Sequence, residues 1–304
     1  MEYVLRTNQL SKKYGNFYAV QNVNMTIEKG EIYGLIGENG AGKSTFMKML
    51  AGLASPSEGS VELFGSIIPH NERCRMGCTI EAPALYMELS AKQNLEVFRK
   101  AYGLTDRKVS SQILELMNLT SSKNKVVKQF SLGMKQRLAI GIALLGNPDF
   151  LVLDEPINGL DPTGIQEMRD FLLKLNKERH ITILLSSHIL GELSKIATKY
   201  GIFKNGKLID EIAAKKLEEQ CQCCLILKVS DVMQAITVLE KQFQTVNYEV
   251  LDDNTIRIFD YTDNPGIVNT SLMKAGITVL ESTVSKNTLE DYFNEKMRGG
   301  VKNV

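Results

Sequence analysis

The feature that most limits the fold is a glycine-rich stretch, GENGAGKST, at residues 37–45. It follows residues 31–36, which are predicted to form a buried strand, and leads into a segment with helical spacing that ends at Gly52. Glycines let the backbone wrap around phosphates with its N–H groups pointing inward, and the helix start adds partial positive charge. The pattern GxxxxGK[ST] between a strand and a helix therefore predicts a phosphate-binding loop.

Each predicted contact in this loop follows from its residue type. Lys43 is expected to reach the β- and γ-phosphates of a nucleotide, and the Ser44 hydroxyl is expected to bind Mg²⁺. The residues predicted to bind the nucleotide here are Gly37, Asn39, Gly40, Gly42, Lys43, Ser44 and Thr45.

A second apolar run, at residues 150–153, ends in two adjacent carboxylates, Asp154 and Glu155. A helix at 165–177 and a strand at 181–185 follow, and this alternation predicts a parallel α/β sheet. Ligands bind at the carboxyl ends of such strands, so Asp154 is expected to hold Mg²⁺ and Glu155 to orient or deprotonate an attacking water. The base-reading motif NKxD is absent from the sequence, which disfavours a GTPase.

The pattern changes after about residue 214, which predicts a first domain at 1–213 and a second at 214–304. The second has the order βαββαβ plus a tail helix, which is typical of a small ferredoxin-like α+β domain. Its predicted strands are 224–229, 246–251, 255–259 and 277–284, and its helices are 232–241, 265–274 and 288–297, the last capped by Asn287 or Thr288. In the first domain, residues 3–10 and 18–27 carry strand signals and 90–118 are expected to be largely helical.

Charge and composition remove several classes of function. Lys and Arg total 36 against 35 Asp and Glu, a net charge of +1, which disfavours a protein that grips nucleic acid electrostatically. No apolar run approaches the ~20 residues of a membrane span, and the N-terminus has no signal-peptide pattern, so we expect a cytoplasmic protein. The five cysteines fit reduced thiols better than a zinc site.

Residues 130–137, FSLGMKQR, resemble the signature motif of ABC-type ATPases, with Leu132 and Met134 in place of the usual small or glycine residues. Ser131 and Gly133 match the positions that, in that family, contact the γ-phosphate held by another cassette. The resemblance implies ATP as the nucleotide and a homodimer or other pair of cassettes with two ATP molecules at the interface.

The resemblance covers roughly residues 1–213 and implies a P-loop ATPase cassette with a helical subdomain at about 82–145. Asp161, in the run NGLD, matches the loop that bridges the two active sites of the family. His188 follows a strand, as does the family's switch histidine, which contacts the γ-phosphate and the catalytic glutamate. The resemblance thus implies Glu155, His188 and Lys43 as catalytic residues.

Two positions leave alternatives open. Tyr14 lies where the family places an aromatic ring that stacks on adenine, with Phe17 and Tyr18 as alternatives. Glu81 lies where the family usually has a glutamine that senses Mg²⁺ and water, so it is either an Mg²⁺ ligand or an ordinary surface glutamate.

The glutamate at 81, the sequence IEAPALY at 80–86 and the C-terminal extension are similar to the bacitracin and lantibiotic export or immunity branch of the family. This implies a separate integral membrane subunit, an antimicrobial peptide as substrate, a docking surface at 82–110 and a position on the inner face of the cell membrane. Alternatives are a transporter ATPase for another substrate, a soluble ABC-type ATPase acting on ribosomes or nucleic acid, and a nucleotide-binding module without turnover. The single cassette and balanced charge disfavour an ATPase acting on ribosomes or nucleic acid. The intact catalytic residues disfavour a module without turnover.

Overall fold

The computed structural model describes residues 2–81, 84–221, 223–243, 247–285 and 289–298. Its first compact unit extends to Ala214 and its second begins at Lys215. The strands up to the division are β1 (Tyr3–Tyr14), β2 (Phe17–Glu28), β3 (Ile32–Ile36), β4 (Glu58–Leu63), β5 (Met76–Thr79), β6 (Phe150–Leu153), β7 (Thr182–Ser187), β8 (Lys199–Lys204) and β9 (Lys207–Ala213). The helices are α1 (Lys43–Ala51), α2 (Pro69–Glu72), α3 (Ala91–Ala101), α4 (Lys108–Leu116), α5 (Leu132–Ala143), α6 (Pro162–Arg179), α7 (Leu190–Leu193) and, at the division, α8 (Ala214–Gln220).

The main sheet of the first unit has the strand order β5-β6-β7-β3-β8-β9. Its pairs from β5 to β8 are parallel, as the sequence predicts, and β9 returns antiparallel to β8. Strands β3, β6 and β7 are buried along their whole length, which explains why they show as apolar runs rather than as alternating patterns. Their carboxyl ends share one edge of the sheet.

A smaller antiparallel sheet, β2-β1-β4, and a group of helices complete the first unit. The predicted helical stretch 90–118 consists of α3 and α4, separated by residues 102–107, and both contact α5. Helix α3 begins with a capping box: the Ser90 hydroxyl accepts from the Gln93 backbone N–H at 3.2 Å, and the Gln93 side chain accepts from the Ser90 N–H at 2.8 Å.

The second unit has the predicted βαββαβ order. It comprises β10 (Cys224–Val229), α9 (Val232–Phe243), β11 (Tyr248–Asp252), β12 (Thr255–Ile258), α10 (Pro265–Lys274), β13 (Val279–Ser285) and a tail helix α11 (Leu289–Arg298). The strands pair antiparallel in the order β11-β12-β10-β13, and α9 and α10 contribute to the apolar core on the sheet. The predicted positions Val246, Asn287 and Thr288 lie outside the described residues.

Strand β13 begins two residues later than predicted, because Ile277 is used to end α10. Gly276 has φ +81° and its N–H donates to the Met273 carbonyl at 3.0 Å, while the Ile277 N–H donates to the Leu272 carbonyl at 3.0 Å. This is a Schellman arrangement, and Ile277 packs against the helix with 2% of its surface exposed.

Among the described helices, none has the length and apolar character that a membrane crossing requires.

The core of the first unit is built from α1, the main sheet and the smaller sheet β2-β1-β4. Phe46 of α1 and Phe203 of β8 are both fully buried, and their ring centroids are 5.4 Å apart. This contact fixes the helix that follows the phosphate loop.

We expect Phe203→Ala to lower the free energy of unfolding of the first unit by about 3–5 kcal/mol, because it removes a buried ring and leaves a cavity against Phe46. Urea unfolding followed by circular dichroism measures the change. The control Ile68→Ala alters a side chain that is 59% exposed and should cost less than about 0.5 kcal/mol. Equal unfolding midpoints for the two variants would contradict this account of the core.

Candidate nucleotide-binding site

The glycine-rich loop lies between β3 and α1, where the sequence places it. Gly42 precedes the first residue of α1 and has φ +107°, and a Cβ there would lie 2.3 Å from the Ala19 carbonyl oxygen. Only glycine fits this position, so the loop stays close to the backbone of β2. The Lys43 side chain is 6% exposed, and its ammonium donates to the Gly37 carbonyl at 2.7 Å and the Glu38 carbonyl at 3.2 Å.

The two adjacent carboxylates follow the last residue of β6, and a serine on the next strand joins them. The Ser186 hydroxyl donates to Asp154 Oδ1 at 2.6 Å and accepts from the Glu155 N–H at 2.9 Å. Glu155 has φ +50°, a conformation that costs a non-glycine residue free energy and is found mostly at functional sites. Ser186 thus fixes the backbone of one acid and the side chain of the other.

Glu155 links the strand end to both predicted catalytic partners. Its Oε2 lies 2.8 Å from His188 Nδ1, and its Oε1 lies 3.8 Å from Lys43 Nζ. Oε1 is buried and has no hydrogen-bond partner among the described residues. An orphaned carboxylate oxygen is costly, so its place beside Lys43 suits a site that is completed by a further group such as water.

A cavity of about 240 Å³ opens at the phosphate loop, and most of the predicted nucleotide residues line it. Its described lining comprises Asn39, Gly40, Ala41, Gly42, Lys43, Ser44 and Thr45 from the loop, Asp154 and Glu155 from the β6 end, and Phe17 and Ala19 from β2. Gly37 packs closely against the backbone of β8, since a Cβ there would lie 2.5 Å from the Phe203 carbonyl oxygen.

The aromatic alternatives lie on the β1–β2 hairpin, in which Tyr14 pairs with Phe17. Phe17 is 67% exposed and lines the cavity, whereas the described lining does not include Tyr14, whose ring has Lys12 Nζ 5.1 Å from its centroid. Adenine stacking by Tyr14 stays a prediction, with Phe17 favoured by position.

Glu81 lines an adjoining cavity of about 430 Å³ together with Asp154 and Glu155. It has φ +63°, and its Oε1 lies 2.5 Å from Lys48 Nζ of α1. The strand before it carries Cys78, whose pKa burial raises to about 12, so this thiol stays protonated. The structure places Glu81 beside the acidic site, and its role as an Mg²⁺ ligand stays a prediction.

The remaining predicted residues lie at the starts of two other helices. The Ser131 hydroxyl accepts from the Met134 N–H at 3.3 Å and caps α5, and Asp161 Oδ1 accepts from the Gly164 N–H at 3.3 Å and caps α6. The described lining of the phosphate-loop cavity does not include Ser131, Gly133 or Asp161. Leu132 and Gln136 of the signature motif line the adjoining cavity with Asp154 and Glu155, but the described lining of the phosphate-loop cavity includes no residue of the motif.

Three contributors to the site escaped the sequence reasoning: Ser186, Lys48 and Gly206. The Gly206 N–H donates to the Ala41 carbonyl at 2.8 Å, and the Gly206 carbonyl accepts from the Gln21 N–H at 2.7 Å, so the β8–β9 turn supports the phosphate loop. The dipeptide Asn205-Gly206, with φ +48° and +77°, is a strong hairpin signal that could have revealed it. Lys48 has no comparable signal.

Comparisons with known proteins agree with this geometry. The ABC transporter family model matches residues 20–158. Over 304 residues the chain is 40% identical to a bacitracin transport ATP-binding protein of Bacillus licheniformis, covering 99% of each chain. Over 211 residues it is 46% identical to a lantibiotic transport ATP-binding protein of Streptococcus pyogenes, covering 68% of this chain and 90% of that protein.

Two solved structures show the same cassette. One is an ATP-binding subunit of an ABC transporter, with a TM-score of 0.63 and 30% identity over 71% of this chain and 92% of that one. The other is a dimeric ATP-binding cassette in a post-hydrolysis state with ADP and phosphate, with a TM-score of 0.63 and 26% identity over 69% of this chain and 98% of that one.

The fold and the loop with its facing carboxylates define a P-loop ATPase. The chain belongs to the ATP-binding subunits of the ABC transporter family. The predicted family and cassette fold are thereby confirmed.

We expect Ser186→Ala to lower kcat about ten-fold, because it removes the hydrogen bond to the Asp154 carboxylate and leaves the Glu155 N–H without its partner. The matched control is Ser187→Ala: this equally buried hydroxyl accepts from the Ile189 N–H at 2.9 Å, and its loss should change kcat by less than about three-fold. Phosphate release measures both rates. Equal losses in the two variants would show that Ser186 has no special part in the site.

Proposed function

We propose that this chain hydrolyses ATP to drive the movement of an antimicrobial peptide, of the bacitracin or lantibiotic type, through a separate membrane subunit. One observation carries the ATPase part: Glu155 lies 2.8 Å from His188 and 3.8 Å from Lys43 at the phosphate-loop cavity. Phosphoryl transfer to water needs a group that orients the water beside the γ-phosphate, and Lys43 marks where that phosphate binds. The similarity to bacitracin and lantibiotic transport proteins supports the peptide class.

The chemistry of the donors supports Mg²⁺ at the same place. Ser44 and Asp154 line the phosphate-loop cavity with Lys43, and hydroxyl and carboxylate oxygens are the ligands that Mg²⁺ prefers. Ser44 and Asp154 would hold the ion, with Glu81 as a further oxygen in the adjoining cavity. When bound, Mg²⁺ supplies charge neutralisation at the β- and γ-phosphates.

The chain's own residues then have distinct parts. The N–H groups of residues 40–45 and the Lys43 ammonium bind the phosphates. Glu155 orients the attacking water and takes up its proton, and His188 holds the Glu155 carboxylate in place. An aromatic ring of the β1–β2 hairpin, Tyr14 or Phe17, stacks on the base.

A second cassette completes each site in this proposal. Ser131 and Gly133 stand at the start of α5, where a capped helix offers backbone N–H groups to an anion, yet they do not line the chain's own described phosphate-loop cavity. Placed against another cassette, they would contact its γ-phosphate, with Asp161 between the two sites. The dimeric cassette among the solved structures supports this pairing.

The docking surface for the membrane subunit is assigned to the groove beside Glu81. Leu53, Cys78, Phe98 and Tyr102 belong to its lining, and the cavity measures about 220 Å³. Leu53 and Tyr102 are 70% and 51% exposed and both line the groove, so together they offer apolar surface to a partner. Docking there would hold the chain at the cytoplasmic face of the membrane. Of the predicted surface 82–110, residues 82 and 83 lie outside the described part.

We expect Glu155→Gln to bind ATP with nearly unchanged affinity and to lose turnover by at least about a hundred-fold, because the amide cannot accept the water's proton. ATP titration and phosphate release measure the two properties. The control Glu178→Gln changes an exposed acid that pairs with Lys174 on α6 and should leave both unchanged. Near-normal turnover of Glu155→Gln would contradict the assigned chemistry.

Glu155→Gln also tests whether the transported substrate is an antimicrobial peptide. Cells that express the chain with its membrane partner should tolerate a higher concentration of a bacitracin-type or lantibiotic peptide, and Glu155→Gln should abolish that protection. Turnover in vitro without any protection in cells would leave the ATPase intact and reject the peptide class in favour of another substrate.

We expect the double change Leu53→Glu and Tyr102→Glu to prevent co-purification with the membrane subunit from detergent-solubilised membranes, because it puts two charges into an apolar interface. ATP binding by the isolated chain should be unchanged. The control Ile67→Glu alters a side chain that is 78% exposed elsewhere and should keep the partner. Recovery of the wild-type chain with ribosomes instead would reject the transporter assignment.

A further inference from the structure

Helix α1 carries two lysines, and each meets a different carboxylate of the acidic site. Lys43, its first residue, has Nζ 3.8 Å from Glu155 Oε1, and Lys48, in its last turn, has Nζ 2.5 Å from Glu81 Oε1. Glu81 and Glu155 line the same cavity of about 430 Å³. The ATPase chemistry accounts for Lys43 and leaves Lys48 without a part.

The backbone marks Glu81 and Glu155 as a pair. Both have left-handed conformations, with φ +63° and +50°, and among the described residues they are the only acidic ones that do. Such conformations cost free energy and persist where the surroundings enforce them, often at functional sites. The fold therefore enforces the backbone at both carboxylates, while the Glu81 side chain itself is 59% exposed.

Its charge creates a difficulty for the bound nucleotide. Glu81, Asp154 and Glu155 all line this cavity, and Asp154 and Glu155 also line the phosphate-loop cavity where the triphosphate binds. Even with Glu81 as a further oxygen for Mg²⁺, three carboxylates beside the triphosphate leave an excess of negative charge, which repels the phosphates and disfavours binding. The Lys48 ammonium compensates the negative charge of Glu81 by direct contact with its carboxylate.

We propose that Lys48 is a positioning residue for Glu81: it neutralises this carboxylate and holds it at the cavity edge, so that the site binds Mg²⁺-ATP without added repulsion. The inference rests on the proposed function. The side chains of Lys48 and Glu81 are 32% and 59% exposed, so the pair contributes little to folding, and its effect falls on nucleotide affinity.

The experiment compares four full-length chains: wild type, Lys48→Met, Glu81→Gln and the double variant. The Mg²⁺-ATP dissociation constant, KM and kcat are measured for each, with thermal unfolding as a check on folding. Lys48→Met should raise the dissociation constant and KM roughly three- to five-fold, the size of one screened charge interaction, with kcat changed less than about two-fold. In the double variant both constants should return to those of Glu81→Gln.

Three further observations separate this role from a merely structural one. Lys48→Arg should behave as wild type, because it keeps the charge. The shift caused by Lys48→Met should shrink as salt increases, since salt screens exposed charges. The control Lys174→Met removes another exposed, ion-paired lysine and should leave KM unchanged.

The outcomes distinguish the two proposals. A wild-type chain that neither binds nor hydrolyses Mg²⁺-ATP would overturn the proposed function itself. If wild type and Glu81→Gln are active but Lys48→Met has no effect, or the same effect with and without Glu81→Gln, the function stands and the part given to Lys48 is rejected.

Discussion

The parallel pairing of β7 with β3 on one side and β6 on the other is the constraint on which the site depends. In this register Ile36 lies opposite Ser187, and Leu153 lies opposite Leu185. The residues that follow, Gly37 of the phosphate loop and His188, therefore leave the sheet side by side, with Asp154 next to Ser186. Since all three strands are buried along their length, a shift of register would disrupt the close packing of side chains on both faces of the sheet, and this packing holds the loops in place.

Because the site depends on buried parallel strands, much of the fold and of the site could be predicted from the sequence. A buried parallel strand needs a continuous apolar run, and the functional residues lie in the loops at its carboxyl end. The apolar residues before Gly37 and Asp154 therefore predict both the sheet and the position of the site. The β8–β9 hairpin could also have been predicted from its Asn205-Gly206 turn, although it was not. The start of β13 could not be predicted from the sequence, because whether Ile277 extends a strand or ends α10 depends on packing around Gly276.

Side-chain partners across strands are the part that a sequence pattern cannot supply. Ser186 matters because Asp154 Oδ1 and the Glu155 N, in the two residues after β6, fall within 2.9 Å of its hydroxyl oxygen, and that follows from register rather than from spacing along the chain. The same holds for Lys48 and Glu81, which are 33 residues apart and meet through the packing of α1 on the sheet. The left-handed backbone at Glu81 and Glu155 is likewise a property of the folded state.

The starts of α5 and α6 are connected to the acidic site by a chain of contacts. Ser131 caps α5 through the Met134 N–H, and Gly133 packs against Leu160 of the loop that ends at Asp161, where a Cβ would lie 3.2 Å from Leu160 Cδ2. Gln136 adds a hydrogen bond from its side chain to the Asn158 carbonyl at 3.1 Å, and the Asn158 N–H donates to the Glu155 carbonyl at 3.1 Å. A set of contacts therefore runs from the start of α5 to the backbone carbonyl of Glu155, the residue whose carboxylate faces Lys43. If Ser131 and Gly133 bind the phosphate of a second cassette, these contacts would connect that phosphate to the backbone of Glu155.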